Sequence, residues 1–176
     1  MTAEYNFLMF IRENMTSEFM DGFMSFISML GDGGMIWIVL GIALLCFKKT
    51  RICGVFVLLS MLLGFLMGNV ALKNIFGRMR PYDKFGVDII IPPLSDYSFP
   101  SGHTLSSFAA ALAIYKTDKR YGAAALVFAS LMAFSRLYLF VHYPTDIVGG
   151  IALAFLSSYL AEKIMQKVQK TKNKTA

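Results

Sequence analysis

Apolar residues form five long runs in this chain, and more polar segments of different lengths separate them. The runs cover residues 35–47, 52–72, 102–115, 121–135 and 147–161. The second run has no charged side chain and is long enough to cross a bilayer, because about 20 apolar residues in a helix match a hydrocarbon core of roughly 30 Å. The other four runs are shorter, and by length alone each could be a buried helix of a soluble protein.

The basic residues favour the membrane interpretation. They cluster after the first, third and fifth runs: Lys48, Lys49, Arg51; Lys116, Lys119, Arg120; Lys163, Lys167, Lys170, Lys172, Lys174. If five helices alternate in direction, these clusters share one side of a membrane, and the positive-inside rule makes that side the cytoplasm. The composition agrees, with 56 % hydrophobic and 16 % charged residues. The pattern predicts an all-α polytopic membrane bundle with five transmembrane helices.

The first thirty residues have a different pattern. Between residues 5 and 30, apolar positions recur at helical spacing among charged residues such as Arg12 and Glu18, which predicts one or two amphipathic helices in the outer interface of the membrane. Gly-Asp-Gly-Gly at 31–34 ends this helical segment before the first span. The alternative is that the segment forms a sixth span.

We therefore expect a single domain over residues 1–176, without a linker. It consists of an interfacial segment (1–33), a transmembrane bundle (34–162) and a basic cytoplasmic tail (163–176). The outer connection 73–100 is rich in Gly, Pro and Asp, and a long non-helical stretch of this kind is usually functional.

The net charge of +6 follows from this topology, so it does not indicate a nucleic-acid partner; a Lys-rich tail after a membrane helix usually lies beside anionic lipid. Cys46 and Cys53 fall near the cytoplasmic ends of neighbouring helices, where thiols stay reduced. We interpret both as small apolar residues and not as metal ligands or a disulfide.

Residues that carry chemistry fall in three clusters on the predicted outer side, and both histidines of the chain belong to them. The clusters are Lys73-x6-Arg80-Pro81, Pro100-Ser101-Gly102-His103 and Ser135-Arg136-x5-His142-x3-Asp146. Cations, imidazoles and one carboxylate are thus brought to one membrane face.

The first two clusters are suited to binding phosphate. Lys73 and Arg80 are about two helical turns apart, so they share a face if the helix persists, and we expect Pro81 to end that helix. Arginine matches two phosphoryl oxygens, and lysine adds a point charge. Ser101 is a good N-cap, and Gly102 allows close approach to the free N–H groups of a helix start, which attract anions.

The third cluster supplies a nucleophile. Pro144 suits the first position of a helix, which places His142 just before the fifth span. Asp146 can accept the Nδ1 proton of His142 and leave Nε2 free to attack phosphorus. A zinc pair of His142 and Asp146 is the alternative, but His103 would be the only other obvious ligand and the surrounding cations oppose a metal.

In order and spacing, the three clusters resemble the motifs of the type 2 phosphatidic acid phosphatase superfamily: K-x6-RP, PSGH and SR-x5-H-x3-D. The resemblance implies that His142 forms a phosphohistidine, that Asp146 orients it, and that His103 acts as general acid and then as general base. It further implies a set of groups that hold the phosphoryl oxygens and stabilise developing charge: Lys73, Arg80, Ser101, the backbone of Gly102 and Arg136.

The resemblance also implies chemistry without a cofactor or metal, and the motifs agree because they provide a single acid and no carboxylate pair for Mg²⁺. The expected substrate is a membrane lipid phosphate or diphosphate in the bacterial cytoplasmic (inner) membrane, with the site facing outward. Undecaprenyl diphosphate, phosphatidylglycerophosphate and phosphatidic acid all fit. The alternatives are a lipid phosphotransferase using the same intermediate, or a non-enzymatic lipid-binding or transport protein; no predicted span carries the central charge that transporters usually have.

Overall fold

The computed structural model describes residues 2–175, without the side chains of residues 172–175. The side chains of Lys172 and Lys174, which belong to the predicted basic tail, therefore lie outside the described residues. All regular secondary structure in this part of the chain is helical, so the prediction of an all-α fold is confirmed.

The helices follow the apolar pattern of the sequence. They are α1 (Ala3–Met15), α2 (Glu18–Leu30), α3 (Met35–Leu45), α4 (Arg51–Phe65), α5 (Lys73–Phe76), α6 (Pro81–Phe85), α7 (Gly102–Thr117), α8 (Lys119–Tyr138) and α9 (Pro144–Thr175). A 3₁₀ turn, Asp32–Gly34, separates α2 from α3, and a π-helical segment, Leu66–Leu72, joins α4 to α5. All five apolar runs are helical, as predicted.

Three helical stretches in the described residues are long and apolar enough to cross a membrane: Arg51–Phe85, Lys119–Tyr138 and Pro144–Thr171. A fourth span results if α2 and the 3₁₀–α3 segment, which meet at a bend of 44°, count as one. Helix α7, with 16 residues, is shorter than these spans. The membrane helix bundle is confirmed, and the number of five spans stays a prediction.

The centre of the bundle is formed where α7 packs between α4, α8 and α9. Alanines 109, 110, 111 and 113 of α7 are fully buried, and such small side chains let membrane helices approach closely. Trp37 of α3 packs at the same level and donates a hydrogen bond from Nε1 to Ser107 Oγ at 2.9 Å. Small residues thus set the spacing of the helices around α7.

A second core lies at the end of the bundle where α8 ends and α9 begins. Helix α1 contributes the buried Leu8 and Ile11 to it, together with Tyr82, Tyr138 and Phe140 from the rest of the chain. The N-terminal segment is therefore two helices, as the sequence allowed, and α1 packs against the body of the protein.

Two expectations for residues 73–100 are wrong. The stretch is not wholly non-helical, because it contains α5 and α6. Lys73 and Arg80 do not share a helix, because Gly77 adopts a left-handed conformation (φ 55°) that ends α5. Arg80 is instead the N-cap of α6, and Pro81 begins that helix and does not end one.

Candidate active site

A cavity of about 620 Å³ opens at the end of the bundle next to α1. Six of the eight predicted site residues line it: Lys73, Arg80, Gly102, His103, Arg136 and His142. The other two, Ser101 and Asp146, are fully buried and hydrogen-bond to each other, from the Ser101 N–H to the Asp146 carbonyl oxygen at 3.1 Å. The fold thus gathers three distant segments around one space.

His142 is buried in the connection between α8 and α9. Its Nε2 lies 3.2 Å from Nη1 of Arg80, and its Nδ1 lies 3.3 Å from Oδ2 of Asp146. A guanidinium can only donate, so Nε2 accepts and Nδ1 carries the proton. Burial, and next the charges of Arg80 and Arg136, lower the pKa of His142 well below its ordinary value of 6.5. The imidazole is therefore neutral at pH 7, the form that the predicted role of nucleophile requires.

Asp146 lies in the first turn of α9, which begins at Pro144 as predicted. Its Oδ2 accepts hydrogen bonds from the backbone N–H of Tyr143 at 2.8 Å and from the Ser98 hydroxyl. Its Oδ1 accepts from Arg78 Nη1 at 2.5 Å. The carboxylate is therefore held on both oxygens, with one oxygen turned to the His142 ring.

Lys73 and Arg80 meet at a carboxylate that sequence reasoning missed. Asp96 Oδ1 lies 2.5 Å from Arg80 Nη2, and its Oδ2 pairs with Lys73 Nζ. Burial would raise the pKa of Asp96, but Lys73 and Arg80 outweigh it and lower that pKa from 3.8 to about 2. Asp96 carried no sequence signal, since it stands alone in a polar loop. The structure places this ionised group on two cations of the predicted phosphate clamp, which consists of Lys73, Arg80, Ser101, Gly102 and Arg136.

Arg136 occupies the last turn of α8 and is only 1 % exposed. Its Nη1 donates to the Ser28 hydroxyl of α2, while Nε and Nη2 have no hydrogen-bond partner among the described residues. A buried cation with unpaired donors is costly unless an acceptor reaches it. Since Arg136 lines the cavity, an anion there can supply that acceptor.

His103 lies in the first turn of α7 and also has a carboxylate partner. Its Nε2 is 2.9 Å from Oδ1 of Asp32, an exposed residue of the 3₁₀ turn. In the sequence, Asp32 is recognisable only as part of the Gly-Asp-Gly-Gly helix break. This turn lies tightly against the ring, because a Cβ at Gly31 would come within 2.7 Å of His103 Cδ2. Each histidine of the site thus contacts one aspartate.

Ser101 and Gly102 start α7 as predicted, but the structure separates their roles. Ser101 Oγ caps the helix by accepting from Thr104 N at 3.4 Å, and it also accepts from the Thr104 hydroxyl at 3.0 Å. Gly102 lines the cavity next to Asn69, whose Nδ2 would be 3.0 Å from a Cβ at that position. A direct contact between Ser101 and phosphate stays a prediction.

The remainder of the cavity is mostly apolar. Its wall is formed by Ile38 of α3, Leu105 of α7 and four residues of α4: Leu58, Met61, Leu62 and Phe65. Because these residues continue along α4 away from Lys73, the cavity has a charged end and an apolar end. Such a shape fits a molecule with an anionic headgroup and a hydrocarbon chain.

Comparisons with known proteins agree with this geometry. A model of the PAP2 superfamily matches residues 54–170, which contain all three motif clusters. An undecaprenyl-diphosphatase of Sulfolobus acidocaldarius is 31 % identical over 147 residues, covering 82 % of this chain and 70 % of that protein.

Two solved structures share the fold. The crystal structure of Aquifex aeolicus LpxE matches with a TM-score of 0.81 and 25 % identity, over 93 % of this chain and 96 % of that one. The crystal structure of a transmembrane PAP2 type phosphatidylglycerolphosphate phosphatase from Bacillus subtilis matches with a TM-score of 0.75 and 27 % identity, over 94 % and 86 %.

Proposed function

The chain belongs to the PAP2 superfamily, and on this premise we propose that it is a membrane phosphatase that hydrolyses the terminal phosphate of a lipid phosphate or diphosphate without a metal ion. The observation that carries the proposal is Arg136, a buried cation that lines the same cavity as both histidines and whose Nε and Nη2 have no hydrogen-bond partner in the described part of the chain. A phosphoryl group supplies the acceptors that Arg136 lacks.

Phosphate binding exchanges one anion for another. The phosphoryl oxygens take the place of the Asp96 carboxylate on Lys73 and Arg80, whose donors already meet there. A third oxygen accepts from Arg136. Three cations then surround the charge that grows as the phosphorus changes partners, and such preorganised charge is a large part of catalysis.

In the first chemical step, Nε2 of His142 attacks the phosphorus and forms an N–P bond. The bond from phosphorus to the lipid oxygen breaks, and His103, protonated in the substrate complex beside Asp32 and the phosphoryl anion, gives its proton to that leaving oxygen. Asp146 retains the hydrogen bond to Nδ1 and stabilises the positive charge on the phosphorylated ring.

In the second step, His103, now neutral, takes a proton from water. The hydroxide attacks the phosphohistidine, the N–P bond breaks, and inorganic phosphate leaves. Both histidines return to their initial protonation states, so the cycle needs no other reactant. The site also disfavours a divalent ion, since the carboxylate within the cavity, Asp96, is already paired with Lys73 and Arg80.

The apolar end of the cavity supports a lipid substrate. Hydrocarbon chains can pack on α4 while the headgroup reaches Lys73, which lies in the same membrane-length stretch. The S. acidocaldarius relative is named for undecaprenyl diphosphate, and the B. subtilis structure for phosphatidylglycerolphosphate. We propose these two lipids and phosphatidic acid as the substrates to compare.

We further propose that the site faces outward from the bacterial inner membrane. All three motif clusters lie at one end of the helices, and the basic clusters lie at the other ends, where the positive-inside rule places the cytoplasm. Residues 163–176 would then form a cytoplasmic tail. The headgroup chemistry would take place at the outer leaflet.

An assay of phosphate release from purified protein tests the proposed function. The three lipids are compared in excess EDTA, for the wild type, His142→Ala and the control Lys84→Ala, at an exposed position of α6. We expect the wild type and the control to release phosphate with EDTA present, and His142→Ala to be slower by roughly a thousandfold or more. Loss of wild-type activity in EDTA would contradict the metal-free mechanism, and an active His142→Ala variant would exclude His142 as the nucleophile.

A further inference from the structure

Arg78, in the turn between α5 and α6, contacts the site from outside the cavity. Its Nη1 donates to Asp146 Oδ1 at 2.5 Å and to Thr145 Oγ1 at 2.7 Å, and its Nη2 donates to Glu4 Oε2 at 2.7 Å. The guanidinium also lies 3.9 Å above the ring of Tyr143. Neither Arg78 nor Glu4 is a defined position of the three sequence motifs.

These contacts distinguish Arg78 from the cations of the phosphate clamp. Arg78 does not line the cavity, and both of its terminal nitrogens are bonded to protein oxygens. Arg136, in contrast, lines the cavity and has two nitrogens that find no partner among the residues that the structure describes. Arg78 is therefore placed to act on Asp146 and not on a phosphoryl group.

Asp146 needs a nearby cation because it is fully buried. Its other side-chain partners in the described structure are neutral: the Ser98 hydroxyl, the Tyr143 N–H and the His142 ring. Removing the charged partner of a buried ion is strongly unfavourable, since the ion remains desolvated without compensation. Arg78 supplies the only ion pair with a permanent cation that Asp146 makes among the described residues.

Glu4 fixes Arg78 from helix α1. One carboxylate oxygen accepts from Arg78, and the other accepts from the hydroxyl of Thr145 at 2.6 Å and from its N–H at 3.2 Å. Thr145 is the residue before Asp146 in the first turn of α9. Glu4 therefore joins α1 to the same turn that carries the carboxylate partner of His142.

We propose that Arg78 is a positioning residue for His142, acting through Asp146. We propose also that Glu4, on α1, holds Arg78 in place for this role. This inference rests on the proposed function, because it takes His142 as the nucleophile. Without Arg78, the buried Asp146 carboxylate has no charged partner among the described residues and turns toward another donor. The Nδ1 proton of His142 then loses its fixed acceptor, and attack by Nε2 slows. The phosphate clamp is unchanged.

The test is a comparison of kcat and KM for matched variants of the full-length protein. The variants are Arg78→Gln, Arg78→Lys, Glu4→Gln, Asp146→Asn and the double variant Arg78→Gln/Asp146→Asn. Arg12→Gln is the matched control, because Arg12 also joins α1 to the outer loop, through Nη1 to the Asp88 carbonyl at 2.9 Å, and has no bond to Asp146. Thermal unfolding shows whether each variant is folded.

We expect Arg78→Gln to lower kcat by roughly 10- to 100-fold, taking as the scale the typical cost of losing an outer partner that orients a metal-ligating side chain, with KM changed less than about threefold. Arg78→Lys recovers part of that loss because it restores the charge. Glu4→Gln lowers kcat in the same direction by a smaller factor, and Arg12→Gln has wild-type kcat. In the Asp146→Asn background, Arg78→Gln has little further effect, since residues that act as a unit are not additive.

Three results would overturn the inference: a kcat for Arg78→Gln equal to that of Arg12→Gln, a loss seen mainly in KM, or effects of Arg78→Gln and Asp146→Asn that multiply. If Arg78→Gln does not fold, Arg78→Lys and Glu4→Gln provide the same comparison. His142→Ala separates the two proposals. If it abolishes turnover while Arg78→Gln has wild-type kcat, the proposed function stands and this inference fails; if it remains active, the proposed function itself fails.

Discussion

At the scale of single residues, the reactive groups of the site already have polar partners from the chain. Arg80 contacts His142 Nε2, Asp32 contacts His103, and Asp96 bridges two cations. A phosphorylated substrate must therefore replace existing contacts as well as form new ones. The net gain in binding is smaller than the number of cations suggests, because each exchange removes a favourable interaction.

The competition between Asp96 and phosphate gives a prediction. We expect Asp96→Asn to increase inhibition by inorganic phosphate, with a Ki lower by roughly fivefold, because a half-exposed ion pair contributes about 1 kcal/mol or less. The measurement is the Ki of phosphate against lipid hydrolysis. Asp88→Asn, an exposed acid of the same loop, is the control. Weaker inhibition in Asp96→Asn would show instead that Asp96 holds Lys73 and Arg80 in place.

At the scale of elements, helix α1 has two faces with different environments. Leu8 and Ile11 are buried against the end of α8, whereas Phe7 and Phe10 are exposed. The sequence pattern showed that α1 is amphipathic and led us to expect it in the membrane interface. The structure adds that its buried face covers the turn containing His142, so the helix supports the site from outside.

This packing can be tested by truncating one side chain from each face of α1. Leu8→Ala removes a fully buried side chain, which typically costs about 2–5 kcal/mol, and we expect a lower melting temperature for the purified protein. Phe10→Ala, at a position that is 59 % exposed, should leave the melting temperature close to the wild-type value. Equal shifts for the two variants would mean that the buried face does not anchor α1.

At the scale of the whole molecule, the alternating direction of the helices separates the clustered basic residues from the charged residues of the cavity. Helix α4 runs from Arg51 toward Lys73, α8 runs from Lys119 toward Arg136, and α9 runs from the His142 connection into the basic tail. The clustered lysines therefore lie away from the cavity. The orientation of the protein in the membrane therefore decides on which side the cavity lies.

Labelling with a membrane-impermeant maleimide in intact cells tests the orientation of the protein in the membrane. Both native cysteines are free and are first replaced, by Cys46→Ser and Cys53→Ala. In this background we expect Lys84→Cys, near the cavity, to react in intact cells, and Lys119→Cys to react only after the membrane is permeabilised. The reverse pattern would place the candidate site on the cytoplasmic side.

The sequence by itself determined the features that depend on neighbouring residues. Apolar periodicity gave the helices, Ser101 and Pro144 marked two helix starts, and the short spacing of His142 and Asp146 brought a residue just before α9 into contact with a carboxylate in the first turn of that helix. These features are local, because they depend only on residues within a few positions of one another. The motif order was enough to identify the family, since it lists the residues that converge on one phosphate.

Only the tertiary structure decided which charges neutralise one another. Asp96 reaches Lys73 across 23 positions, Asp32 reaches His103 across 71, and Glu4 reaches Arg78 across 74. No periodicity connects residues so far apart, because their contact depends on how the helices pack. A left-handed glycine between Lys73 and Arg80 also replaced the expected continuous helix with a turn, and that turn is what brings Arg78 to Asp146.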